Sequence, residues 1–233
     1  MSLPKLNVTI HEAVLPSTDT VIKFRPFLVK EEKLLLTALE DTTQSSMMNA
    51  IKGIINNCVQ EKIDVDKLPI FDIEYLFLQL RAKSIGEEIE VGIKCPKCEF
   101  SIPTTINTDD IKVSKPEGHN RKIMITDEIG VMLSYPVMTT EGITSEDGMA
   151  IVKDCIDMIF TEEETHERGS FTDAELTEFV ESMDAQQFTK IKSFFEAMPK
   201  IKHDVRINCP KCIEKEEGGE QTVTLEGLAS FFD

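Results

Sequence analysis

The chain has 233 residues, of which 41% are hydrophobic and 29% charged, with a net charge of −17 from 25 basic and 42 acidic side chains. That is the profile of a globular protein long enough for one large domain or two small ones with a sizeable core, and no apolar run approaches the roughly 18 residues that a membrane span needs. The acidic balance repels phosphate backbones, and the lack of Trp with only two Tyr leaves few platforms for base stacking, so nucleic acid is disfavoured as a partner.

The first residues, "MSLPKLNVTIHEAV", lack a basic-then-apolar leader pattern. The expectation is a protein made and used in a cytosol-like compartment, or entering a particle assembled there. "KLNVTIHEAV", "LPSTD" and "TVIKFRPF" read as strand, turn and return strand. A helix follows from about Lys30 to Glu40, with apolar Leu34, Leu35, Leu36 and Leu39, and Glu31 and Glu32 in the first turn that favours negative charge. A second, from about Ser46 to Gln60, places Ile51, Ile54, Ile55 and Cys58 three and four apart on one face. "PIFDIEYLFLQLRAKS" reads as a third helix, leading into the strand "EEIEVGIK".

Residues 107–128 form a middle connection in which "KPEGHNR" is a turn between short strands. "GVMLSYP" is a strand, and "GMAIVKDCIDMIF" reads as a helix carrying Cys155. Residues 161–181 hold eight acidic residues and one basic. They begin as an exposed, solvated loop, after which Thr172 or Asp173 caps a helix containing Leu176, Phe179 and Val180. Cys58 and Cys155 are read as small core residues.

The tetrapeptide Cys-Pro-Lys-Cys occurs twice, as Cys95 to Cys98 and as Cys209 to Cys212. Zinc takes four ligands in a tetrahedron, and structural sites favour thiolates. One CxxC turn supplies two thiolates from a tight bend that Pro96 or Pro210 helps to pre-form, so the two turns together supply a full set. Cys95, Cys98, Cys209 and Cys212 are therefore the expected ligands of one structural zinc per chain. The 110 residues between Cys98 and Cys209 far exceed the roughly 15–20 of a compact zinc ribbon. Each turn nevertheless lies between strand-like runs: "EEIEVGIK" and "FSIPTTIN" for the first, "IKHDVRIN" and "EQTVTLEG" for the second. Each reads as a hairpin tip, and two facing tips make a ribbon-like site. The competing readings are reduced cysteines without metal and a thioredoxin-like redox pair. Redox CxxC motifs usually open a helix, whereas these stand between strands. Four thiolates leave no open position for catalytic water.

Aligned on the two turns, the chain shows a degenerate repeat of element order: a strand running into Pro26 or Pro136, a helix with Cys58 or Cys155, a further helical segment, and then the CPKC hairpin. The expected fold is α+β, with two similar strand-helix-helix-strand halves, residues 1–116 and 117–233, joined at the four-cysteine site. The closing "VTLEGLASFFD" is strongly apolar, so Leu225, Leu228, Phe231 and Phe232 must dock, either on the chain's own core or on a partner. Leu228, Phe231 and Phe232 are thus candidate partner-binding residues. Phosphate-binding loops, HExxH, GxSxG and EF-hand patterns are absent from the sequence, which shifts the expectation away from an enzyme.

"IKFRPFLVKEEKLLL", "NCV", "FDIEYLFLQLRAKSIGEEIEV" running into CPKC, and the terminal "LEGLASFFD" together resemble the baseplate hub protein family of T-even-type contractile-tail bacteriophages. Arg25 to Lys33 and Asp72 to Gly86 are the most specific stretches. The resemblance covers residues 20–110 well, and the second half mainly through CPKC and the Phe-Phe ending. It implies a non-enzymatic structural or assembly role in the tail baseplate hub, with other hub proteins as partners. The corresponding locations are the host cytoplasm during assembly and the virion tail baseplate if the chain is retained. Glu99 and Ile213 stand where a Gly often follows the second Cys of a zinc knuckle. Two alternatives have their own signatures. A zinc-ribbon adaptor for nucleic acid or the transcription machinery would use Lys94, Lys97, Lys202, Arg206 and Lys211 as a local basic patch. A CxxC thiol-disulfide oxidoreductase would need a depressed thiol pKa.

Overall fold

The computed structural model describes residues 7–40, 44–137, 148–214 and 219–231. The chain is α+β and divides into two compact units, residues 1–114 together with 200–233, and residues 115–199. This differs from the two consecutive halves expected from the sequence. The first seam falls close to the expected position, but the last segment packs with the first unit, so the second unit is an insertion.

The first unit opens with an antiparallel hairpin, β1 (His11–Val14) and β2 (Val21–Phe24). Its inward positions Ala13, Ile22 and Phe24 are buried, as period-two alternation requires. Helix α1 (Val29–Glu40) follows. Its first turn is organised by a buried ion pair in which Arg25 reaches Glu31 at 3.0 Å while Glu31 accepts from the Leu28 N–H at 2.9 Å. Helix α2 (Gln44–Cys58) buries Ile51, Ile54, Ile55 and Cys58, the expected face. Helix α3 (Ile70–Ser84) buries Phe71, Ile73, Leu76, Phe77, Leu78 and Leu80, an almost all-round apolar surface suited to the centre of the unit. Its first turn carries a fully buried carboxylate, Asp72. The Ser17 N–H donates to Asp72 at 3.1 Å and the Ser17 hydroxyl donates to its other oxygen, which pins the β1–β2 turn to α3.

Strands β3 (Glu88–Lys94) and β4 (Ser101–Asn107) form the first long hairpin. β5 (Lys112–Ser114) pairs with β10 (Lys200–Asn208), which pairs in turn with β11 (Glu220–Glu226), so the sheet order is β11-β10-β5. Ser114 and Lys200 are register partners, and the inserted unit leaves and re-enters the sheet at that pair. A 3-10 turn, Leu228–Phe231, ends the described chain; Leu228 and Phe231 are buried in the first unit's own core. Its entry is fixed by Gly227, whose φ of 74° is the left-handed conformation that suits glycine, and by Glu74 of α3, which accepts from the Leu228 N–H at 2.9 Å.

The second unit is an antiparallel sheet of β6 (Lys122–Met124), β7 (Gly130–Leu133), β8 (Ile156–Phe160) and β9 (Thr165–Glu167), in that order. With it go α4 (Gly148–Asp154), α5 (Asp173–Glu181) and α6 (Ala185–Glu196). Thr172 caps α5 with a full capping box to Glu175, and Asp184 repeats the device with Gln187 at α6. "GMAIVKDCIDMIF" is not one helix. It breaks after Asp154, and Ile156–Phe160 forms a strand, because its β-branched and aromatic residues complete the pairing with β7. Cys155 lies buried between the two elements rather than on a helical face. The repeat of element order therefore fails in the second half, where β8 and β9 stand among the helices.

Candidate metal centre

The first cysteine of each turn is placed by strand alternation. In β3 the inward series is Ile89, Val91, Ile93, and Cys95 is its next member; in β10 it is Val205, Ile207 and then Cys209. Both turns then close alike. The Glu99 N–H donates to the Cys95 carbonyl at 2.8 Å, and the Ile213 N–H donates to the Cys209 carbonyl at 3.1 Å, the same four-residue step. Across each hairpin neck, Cys95 N–H donates to the Phe100 carbonyl and Cys209 N–H to the Gly219 carbonyl.

The turns then diverge. After Cys98 the backbone of Glu99 takes a φ of 57°, the left-handed region, and β4 begins almost at once. Glu99 thus occupies the conformation that glycine usually supplies in a zinc knuckle. After Cys209 the chain instead makes a short helix, α7 (Pro210–Glu214), with Pro210 at its first position. The reading of the second CPKC as a plain hairpin tip is corrected here, because Ile213 continues one helical turn where the first hairpin reverses. Gly219 closes this larger turn. A Cβ there would come within 2.3 Å of Ile213 Cγ1 and 2.5 Å of Asn208 Oδ1.

The four thiol sulfurs lie within 4.8 Å of one another. Cys95 Sγ is 3.7 Å from Cys212 Sγ, Cys98 Sγ is 3.5 Å from Cys209 Sγ, and Cys98 Sγ is 3.7 Å from Cys212 Sγ. All four cysteines are free, and the contacts cross between hairpins. These separations are far longer than the roughly 2.05 Å of a disulfide. They match the edge of a tetrahedron around a metal about 2.3 Å from each sulfur, which is roughly 3.8 Å. The donor set and its spacing fit a four-thiolate ion.

Backbone donors tune the cluster. The Lys97 N–H, joined by that of Cys98, overcomes burial and holds the Cys95 thiol down at about 7. The Phe100 N–H pulls the Cys98 thiol down, but burial and the contact with Cys209 outweigh it, so the net shift is upward. Burial pushes the Cys212 thiol up to about 12, and its three cysteine neighbours push the same way. A cation at the centre would favour all four thiolates at once. Cys95, Cys209 and Cys212 are buried and Cys98 is half-buried.

Around the cluster, Lys211 Nζ stands 4.5 Å from the centroid of the Phe100 ring, so a residue of one turn covers a residue of the other. Lys202 pairs with Glu226 at 3.0 Å. Two members of the expected basic patch are thus engaged within the chain. Leu228 and Phe231 are not brought to a surface, and Phe232 lies outside the described residues. Several supporting groups carried no sequence signal: the amide donors of Lys97, Cys98 and Phe100, and Glu74, which caps Leu228 from a helix more than 150 residues away. Arg25 and Glu31 were visible as a motif, but not as an ion pair.

Two CPKC hairpins sharing one thiol cluster inside an α+β unit make this a cysteine-cluster protein with its ligands split across an insertion. The sequence profile of the T4 bacteriophage base plate protein family matches residues 8–233, and the chain belongs to that family. It is similar to the baseplate hub assembly protein gp26 of Enterobacteria phage T4, with 25% identity over 214 residues that cover 91% of this chain and 93% of that protein. No solved structure matches the chain. No helix among the described residues is long and apolar enough to cross a membrane.

Proposed function

We propose that this chain is a non-enzymatic structural or assembly protein of a phage tail baseplate hub, stabilised by one structural zinc held by Cys95, Cys98, Cys209 and Cys212. Its partners are other baseplate hub proteins. It works in the host cytoplasm while the hub is built, and in the tail baseplate where it is retained. The family match over residues 8–233 carries the assembly reading. The four sulfurs within 4.8 Å support the metal.

Zinc supplies closure rather than chemistry here. It ties the β3–β4 hairpin to the β10–β11 hairpin, so that binding free energy becomes folding free energy for the first unit. The chain's own part is to present the four thiols at tetrahedral spacing and to favour the thiolate of Cys95 with backbone donors.

Two measurements test this. Deleting the gene from the genome that encodes it should leave particles without a complete baseplate by electron microscopy, restored by supplying the chain in trans; complete baseplates in the deletion would sink the assembly reading. Elemental mass spectrometry of the purified chain should find one zinc, lost in the Cys209→Ser/Cys212→Ser variant. A metal-free chain with four freely reactive thiols would remove the metal and reopen the redox reading.

A further inference from the structure

The four clustered cysteines differ in exposure and in the sulfur each one faces. Cys98 is half-buried, while Cys95, Cys209 and Cys212 are buried. Cys98 Sγ lies 3.5 Å from Cys209 Sγ, and Cys95 Sγ lies 3.7 Å from Cys212 Sγ. The sulfurs therefore divide into two pairs, and each pair joins the β3–β4 hairpin to the turn between β10 and β11. Oxidants select thiols by thiolate character and exposure, so Cys98 is the point of entry. The sulfur placed to receive the oxidised Cys98 belongs to the other hairpin.

We propose that the cluster has a second, oxidised state, in which a Cys98–Cys209 disulfide replaces the metal ion as the tie between the two hairpins. This rests on the metal reading above and adds a redox exchange of one clamp for another. The oxidant is a peroxide. The Cys98 thiolate attacks one peroxide oxygen, the O–O bond breaks, and the departing oxygen is protonated to water, which leaves a sulfenic acid on Cys98. The Cys209 thiolate then attacks the Cys98 sulfur and expels hydroxide, protonated to a second water. In sum, the four-thiolate zinc centre, hydrogen peroxide and two protons give the disulfide, two waters, free zinc and the thiolates of Cys95 and Cys212. Two electrons pass from the two joined sulfurs to the two oxygens.

The exchange keeps the fold closed. A disulfide inside one CPKC turn would leave the hairpins without a tie, whereas a crossing disulfide holds them. It closes a loop that contains the 110 residues between Cys98 and Cys209, and a cross-link constrains the unfolded chain more as the loop lengthens. A chain held by an ion in a reducing cytoplasm is then held by a covalent bond in an oxidising medium, such as the one that surrounds a released virion.

Trypsin separates the four cysteines. Cleavage after Lys94, Lys97, Lys112, Arg206, Lys211 and Lys215 puts Cys95, Cys98, Cys209 and Cys212 on peptides 95–97, 98–112, 207–211 and 212–215. The test treats the purified full chain, loaded with zinc, with one equivalent of hydrogen peroxide. The remaining thiols are then alkylated and the peptides mapped by mass spectrometry. A chromophoric indicator reads the released zinc, and circular dichroism in the presence of a chelator reads the fold. Peptides 98–112 and 207–211 should be joined, with one zinc released per disulfide and the spectrum unchanged. A disulfide within either CPKC turn, zinc retained beside the disulfide, or loss of the folded spectrum would each overturn the proposal. An untreated chain without zinc would overturn the metal reading and the exchange together; a zinc-loaded chain with the wrong map overturns the exchange alone.

Discussion

Arg25 Nη2 lies 3.0 Å from Glu31 Oε1, and that carboxylate is fully buried. Arg25 also donates to the carbonyls of Pro26 and Asn57, and Glu31 accepts the Leu28 N–H, so the pair joins the end of β2, the end of α2 and the start of α1. The Arg-Pro motif and the following Glu are thus one packing device rather than two separate preferences.

Burial pushes the Glu31 carboxyl up, but Arg25, the Leu28 N–H and Lys30 together hold it below its ordinary value of 4.5. A carboxyl depressed in the folded state stabilises above its unfolded pKa, and that contribution fades as pH falls through the folded value. Glu31→Gln should cost about 3 kcal/mol at neutral pH, since it leaves a buried cation without its charge partner. Urea unfolding followed from about pH 7 to about pH 3 should then show a shallower acid loss in the variant than in the parent. Equal slopes would mean that Glu31 contributes no proton linkage.

The four clustered cysteines all belong to the first unit, so on the proposed zinc reading chelation should act on that unit's unfolding. A strong chelator should lower the first unit's unfolding free energy by more than about 3 kcal/mol, a conservative share of structural zinc binding. A probe in the second unit, such as Tyr135 stacked 5.7 Å from Phe194, should report an unchanged transition. Concerted loss of both signals would contradict this.

Backbone conformation separates the two turns. Glu99→Gly should raise stability by about 1 kcal/mol, because it relieves a side chain held in the left-handed region. Gly219→Ala should lower it by about 2 kcal/mol through collision with Ile213 and Asn208. Thermal unfolding of the zinc-loaded protein measures both, and the opposite order of effects would show that the turns are assigned wrongly.

In the second unit, Thr172→Ala removes the Oγ1 acceptor at the start of α5, where the Glu175 N–H donates at 3.3 Å. The expected loss is about 1 kcal/mol, read from the second unit's transition alone. Thr172→Ser should retain most of the stability; a serine as costly as alanine would point to the methyl group instead.

Much of this fold was legible because it is local. The Ile51, Ile54, Ile55 and Cys58 spacing placed α2, the choice of Thr172 or Asp173 as cap placed the start of α5, and the two CPKC turns pointed to the four sulfurs lying together. What was not legible depends on distant pairing. The bond between β5 and β10 joins residues on either side of the insertion, and no local pattern announces that Lys200 will face Ser114. The same pairing with β7 turned Ile156–Phe160 from helix to strand. The terminal apolar cluster was ambiguous because hydrophobicity demands burial without saying where; Glu74 and the first unit's core decide it for Leu228 and Phe231.

The return of the chain at Lys200 also sets an order in time. With 110 residues between Cys98 and Cys209, the second CPKC is made well after the first, and at about 5–20 residues per second the interval is on the order of 5–20 s. During it the nascent chain carries two thiols of the four-thiol cluster, and before it ends the whole of residues 115–199 has been made and can fold. The first unit begins first and finishes last. Its completion awaits the second CPKC, so a chain truncated between Cys98 and Cys209 is left with an open half-site.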